Sequence, residues 1–134
     1  MFDFKNPKAT KTPISLDLKL GNVCNSKCRI CTSFASSQWA KEEIALDPFN
    51  KDVSLAFNHK GMWPKKNDLF WIDLENMLPN ITKFEFFGGE PLLIDKHFEI
   101  LETCVENNYA KNIEISYNTN GSIFPADKVD LWKQ

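Results

Sequence analysis

The sequence contains no apolar run approaching the roughly 20 residues that a bilayer-spanning helix requires, so no such helix is expected within it. Its opening stretch, MFDFKNPKATKTP, lacks the apolar core of a secretory signal. A reducing, cytoplasmic setting is therefore expected, in which disulfides would not form. A surplus of positive charge is missing too: 16 Lys and Arg stand against 18 Asp and Glu, a net charge of -2. General attraction to nucleic acid or an anionic membrane thus has no electrostatic basis. Repeats and low-complexity segments are absent, and 43% hydrophobic with 25% charged residues over 134 positions is the balance of one ordinary globular domain.

What the chain does have is Cys24, Cys28 and Cys31 in the spacing CxxxCxxC, directly after an alternating apolar run. A loop of this span can bring soft thiolates to three corners of a cubane [4Fe-4S] cluster, leaving the fourth iron open for a ligand. Zinc would need four ligands, usually from two short Cys/His hairpins, and His59, His97 and Cys104 each stand alone. A ferredoxin-type carrier would need a fourth cysteine in step, and none follows Cys31 at that distance. Both stay open as alternatives to a catalytic cluster.

Period-two alternation of Ile14, Leu16, Leu18 and Leu20 with Ser15, Asp17 and Lys19 predicts a first strand, broken by Gly21 and Asn22. From about Ser26 to Ile44 helix formers run without Pro or Gly, predicting a helix behind the cysteine loop. The three phenylalanines of Thr82 to Phe87 suit a second strand, which stops at Gly88-Gly89-Glu90-Pro91. Ile94, Phe98, Leu101 and Val105 then recur at helical spacing, with His97 and Cys104 on the same face as structural, buried groups. A third strand over about Asn112 to Tyr117 ends in Asn118-Thr119-Asn120-Gly121, and a short helix is expected after Pro125.

Between these units, roughly Leu46 to Asp68 reads as an insertion with one short helical piece, because Pro48, Gly61 and Pro64 interrupt it. Its aromatic residues are read as surface packing in preference to a lid. Leu69 to Leu78 predicts a helix that packs Phe70, Leu74 and Leu78 on the sheet and is closed by Pro79. Strands separated by helices imply an α/β fold with a parallel sheet of about three strands and crossover helices. All strands of such a sheet end at one edge, so the cysteine loop, the GGEP turn and the NTNG turn should gather there, where ligands of α/β folds bind.

Together CNSKCRIC, FFGGEP and NTNG resemble the N-terminal half of a radical S-adenosylmethionine (radical SAM) enzyme, over most of the chain. The run CTSFASSQW resembles members carrying a C-terminal twitch or SPASM-type extension, which these residues do not include. The resemblance implies that Cys24, Cys28 and Cys31 hold three irons while the methionine end of SAM chelates the fourth. It implies that Gly88, Gly89, Glu90 and Pro91 receive the methionyl ammonium through backbone carbonyls and the Glu90 carboxylate. Ile30 occupies the place where the family often has an aromatic residue near adenine. Asn118 and Asn120 fall where polar residues approach SAM, although a left-handed turn would also choose asparagine.

The implied reaction is reductive cleavage of SAM to methionine and a 5'-deoxyadenosyl radical that abstracts hydrogen from a substrate, a peptide by resemblance to twitch-type and SPASM-type members. An electron donor such as flavodoxin or ferredoxin is the implied partner. No catalytic side chain is assigned, since solvent exposure explains Ser15, Asp17 and Lys19 as well as a reaction cavity does. The family core is an incomplete barrel of six strand–helix units, of which this chain supplies three strands. It is thus expected to be the N-terminal part of a longer enzyme or to need a partner chain to finish its sheet. A cluster or zinc module without SAM cleavage, or an inactive fragment, are the other readings.

Overall fold

In the computed structural model, residues 12–134 are described. Three strands, β1 (Ser15–Lys19), β2 (Lys83–Phe87) and β3 (Glu114–Tyr117), form one sheet in the order β1-β2-β3, both pairs parallel. The alternation of β1 explains its placement. Leu16 and Leu18 lie in register with Phe84 and Phe86 of β2, which in turn face Ile115 and Tyr117 of β3. This face is the core: Phe84 and Phe86 are fully buried and their rings stack. On the opposite face Asp17, Glu85 and Ser116 share one row, open or half-open to solvent.

Five helices connect and cover the strands: α1 (Trp39–Leu46), α2 (Lys51–Gly61), α3 (Asp68–Met77), α4 (Asp95–Glu106) and α5 (Val129–Trp132). The Asn67 side chain caps α3 by accepting from the Phe70 N–H, and a 3-10 turn containing Pro79 ends that helix. Leu74 and Leu78 join the core beside Ile100, Leu101 and Cys104, all three from the inward face of α4. The sheet is open, since among the described residues β1 and β3 each pair on one side only. No helix among the described residues is long and apolar enough to cross a membrane.

Two expectations need correction. The helix expected from Ser26 begins only at Trp39: the backbone before it forms isolated turns, Cys31 onto Cys28 and Ala35 and Ser36 onto Thr32, while the Val23 and Ala35 carbonyls accept from the turn after β2. The insertion is also more ordered than its prolines suggest. Pro48 opens one 3-10 turn and Pro64 is the second residue of another, positions where a missing N–H costs nothing, and α2 runs uninterrupted between them. The helix expected after Pro125 is a 3-10 turn followed by the single turn of α5.

Candidate functional site

Because the strands are parallel, their carboxyl ends deliver three turns to one edge. The turn after β2 is bonded to the cysteine loop at two places: the Glu90 N–H donates to the Val23 carbonyl at 2.7 Å and the Gly89 N–H to the Ala35 carbonyl at 3.0 Å. Both glycines have left-handed backbone, φ 82° at Gly88 and 63° at Gly89. A Cβ on Gly89 would lie 2.2 Å from the Val23 carbonyl oxygen, and one on Gly88 would lie 2.2 Å from Cγ of Lys19. The glycines therefore permit both the turn and the close approach of the two main chains.

The turn after β3 closes the other side. The Asn120 amide Nδ2 donates to Asn25 Oδ1 at 2.9 Å and Ser26 Oγ at 3.2 Å, and it lies 3.9 Å from Cys24 Sγ. Its Oδ1 accepts from the N–H and hydroxyl of Ser122, whose Oγ also accepts from Asn25. Glu90 joins the two turns. Fully buried, its carboxylate accepts from the Leu92 N–H at 3.2 Å, the Thr119 hydroxyl at 2.7 Å and the Asn120 N–H at 2.8 Å.

The three thiols differ in exposure: Cys24 is buried, Cys31 half-buried and Cys28 exposed. Burial pushes the Cys31 thiol up, the neighbouring charges of Cys28 and Cys24 add to this, and Lys19 opposes it. The cost of ionising Cys31 beside two other sulfurs is one that a bound cation would relieve. Among the described residues no three His, Cys, Asp or Glu groups are arranged to hold a single metal ion. One ion requires its donors to converge on a point, whereas a cubane gives each thiolate its own iron. The Cys24 sulfur also faces the Ser26 N–H at 3.4 Å, the kind of donor that iron-bound thiolates use.

The remaining sequence-predicted residues divide. Ile30 is 95% exposed between Cys28 and Cys31, offering bare apolar surface at the rim. Pro91 is buried and opens the 3-10 turn that leads to α4. Asn118 donates to Glu85 Oε1 at 2.8 Å on the open face of the sheet. Neither Asn118 nor Asn120 has left-handed backbone; Gly121, at φ 68°, takes that role. Asparagine is thus present for its side chain. Cys104 and His97 stand in the core as expected: burial pushes the Cys104 thiol up to about 11, and His97 packs against Phe86, Phe98 and Tyr117.

A support behind the loop was not read from the sequence. Fully buried Asn22 donates through Nδ2 to the Ser33 carbonyl and to both the carbonyl and Oδ1 of Asn58 on α2. Gly61 lets the end of α2 approach, since a Cβ there would stand 2.5 Å from both Asn22 Nδ2 and the Phe34 carbonyl oxygen. The Trp63 indole N–H donates to the Lys19 carbonyl at the end of β1, and that of Trp39 donates to the Cys28 carbonyl. Only Gly21-Asn22 as a strand break marked this region, and a break does not say what it bonds to. Comparison with protein families, curated proteins and solved structures finds no match to this chain.

Proposed function

We infer that this chain carries the cluster-binding part of a radical SAM enzyme of the cytoplasm, with Cys24, Cys28 and Cys31 holding three irons of a [4Fe-4S] cluster. The observation that carries this reading is the double hydrogen bond between the GGEP turn and the cysteine loop, which sets a glycine-lined turn beside three thiols at the carboxyl edge of a parallel sheet. When bound, the cluster and SAM supply one-electron cleavage of the SAM carbon–sulfur bond and a 5'-deoxyadenosyl radical for hydrogen abstraction.

The chain's own residues bind and orient. Gly88 and Gly89 allow the main chain to close on the methionine end of the cofactor, and Ile30 offers an aliphatic surface to the adenine. Asn118 and Glu85 stand on the polar face where a substrate, such as a peptide, would enter. An electron donor of the flavodoxin or ferredoxin kind reduces the site, and further strands, from a continuing chain or a partner, extend the sheet past β3.

The test is anaerobic reconstitution, iron and sulfide counting, then reduction in the presence of SAM with detection of 5'-deoxyadenosine. Four irons per chain and nucleoside release support the reading, and Cys28→Ala abolishes both. A cluster without nucleoside overturns the enzyme reading in favour of a binding module or an inactive fragment; zinc without iron indicates a structural site.

A further inference from the structure

Resting on that reading, we propose that Glu90 and Asn120 act as a positioning relay for Cys24: the buried Glu90 carboxylate fixes the turn after β3, and the Asn120 side chain fixes the first cysteine segment of the cluster loop. The resemblance assigns the Glu90 carboxylate to the cofactor ammonium. In the structure three internal donors already engage its two oxygens, and none of its surface reaches solvent. A buried carboxylate held this way organises its donors, here the Thr119 hydroxyl and the Asn120 main chain.

The second link follows from where that turn is fixed. With its backbone tied to Glu90, Asn120 spans from the turn after β3 to Asn25 and Ser26, the two residues that follow Cys24, and its amide lies within reach of the sulfur itself. The Ser122 donors lock the amide orientation by occupying Oδ1. Cys24 is the buried member of the trio, so it depends most on its surroundings for its direction. Groups that hold a ligand in this way are positioning residues, and their loss weakens metal retention without removing a ligand.

The test reads the thiol before any iron is added. In the apo chain, alkylation by iodoacetamide is followed at each cysteine by mass spectrometry for the parent, Glu90→Gln, Asn120→Ala, Thr119→Val and Thr119→Ser. The amide of Glu90→Gln presents a donor where an acceptor is needed. The relay predicts that Cys24 alkylation accelerates by roughly tenfold in Glu90→Gln and Asn120→Ala, with Cys28 unchanged, because local opening governs access to a buried group. Thr119→Ser, which keeps the hydroxyl, preserves the parent rate, and Thr119→Val does not. After reconstitution the first two variants retain iron about tenfold less tightly.

Equal Cys24 rates in the parent and both variants overturn the relay, whatever the iron does. Should Glu90→Gln fail to fold, Asn120→Ala, at an exposed position, decides the same point. A parent chain that binds no iron overturns the cluster reading instead, and the alkylation rates still decide whether the relay exists.

Discussion

The helices α4 and α2 are of nearly equal length and pack by opposite rules. α4 turns His97, Phe98, Ile100, Leu101 and Cys104 inward, while α2 buries only Ser54 and Gly61 and leaves Val53, Leu55 and Phe57 exposed. One helix is held by removal of apolar surface from water. The other is held through the carbonyl and amide of Asn58 and a glycine contact against the cysteine loop. The first arrangement makes a stable sheet and the second supports a site, so damage to each should be seen in different measurements.

The sharpest contrast comes from the core side. Phe84→Ala, in the central strand under α4, should cost about 3–5 kcal/mol in chemical denaturation. Loss of less than 1 kcal/mol would mean that the core is not centred there.

Next in size is acid sensitivity. The His97 Nδ1–H donates to the Ile94 carbonyl at 2.7 Å, and its Nε2 is buried without a partner. Burial pulls its pKa down from 6.5 to about 4, against the opposing pull of the Ile94 bond and Asp95, with Lys128 assisting. The folded state then binds fewer protons than the unfolded one between these values, so stability is full above pH 6.5 and falls as pH drops toward 4. Denaturation at pH 7.5 and pH 5 should differ by about 2 kcal/mol from this group. A His97→Asn variant, with no proton to gain, should lack that part of the slope.

The most discriminating test lies on α2. In an unconstrained helix Gly→Ala stabilises by about 0.5–1 kcal/mol. Gly61→Ala should instead destabilise by about 1–3 kcal/mol, because the new methyl meets Asn22 and the Phe34 carbonyl. It should also speed exchange of the Ser37 amide, which donates to the Asn22 carbonyl. A stabilised Gly61→Ala would make α2 an ordinary surface helix and remove the contrast with α4.

The strands were legible because each carries its own evidence: alternation in β1, clustered phenylalanines in β2, and Ile115 and Tyr117 alternating in β3. The three turns were legible for the same reason, since Gly, Pro and Asn mark a strand end locally. The stretch from Asn22 to Gln38 was not. Beyond its own isolated turns, its hydrogen bonds run to Asn58, Gly89, Glu90 and Asn120, and nothing between Ser26 and Ile44 distinguishes helix formers that propagate a helix from those that stop at single turns. Glu90 was read as a group facing a ligand because the resemblance implies a carboxylate there for the methionyl ammonium. Its burial depends on Thr119 and Asn120, which the topology brings to it from another strand.

The way β1 joins the sheet also bears on how the molecule assembles. A single helix links β2 to β3, whereas β1 must find β2 across everything from Lys19 to Lys83. Contacts distant in sequence form late, so the β2–α4–β3 unit should collapse first and wait for its amino-terminal neighbour. The union of the cysteine loop with the turn after β2 is then the last feature to emerge during folding, and pulse-labelled exchange should find the Asn118 amide protected earlier than that of Glu90.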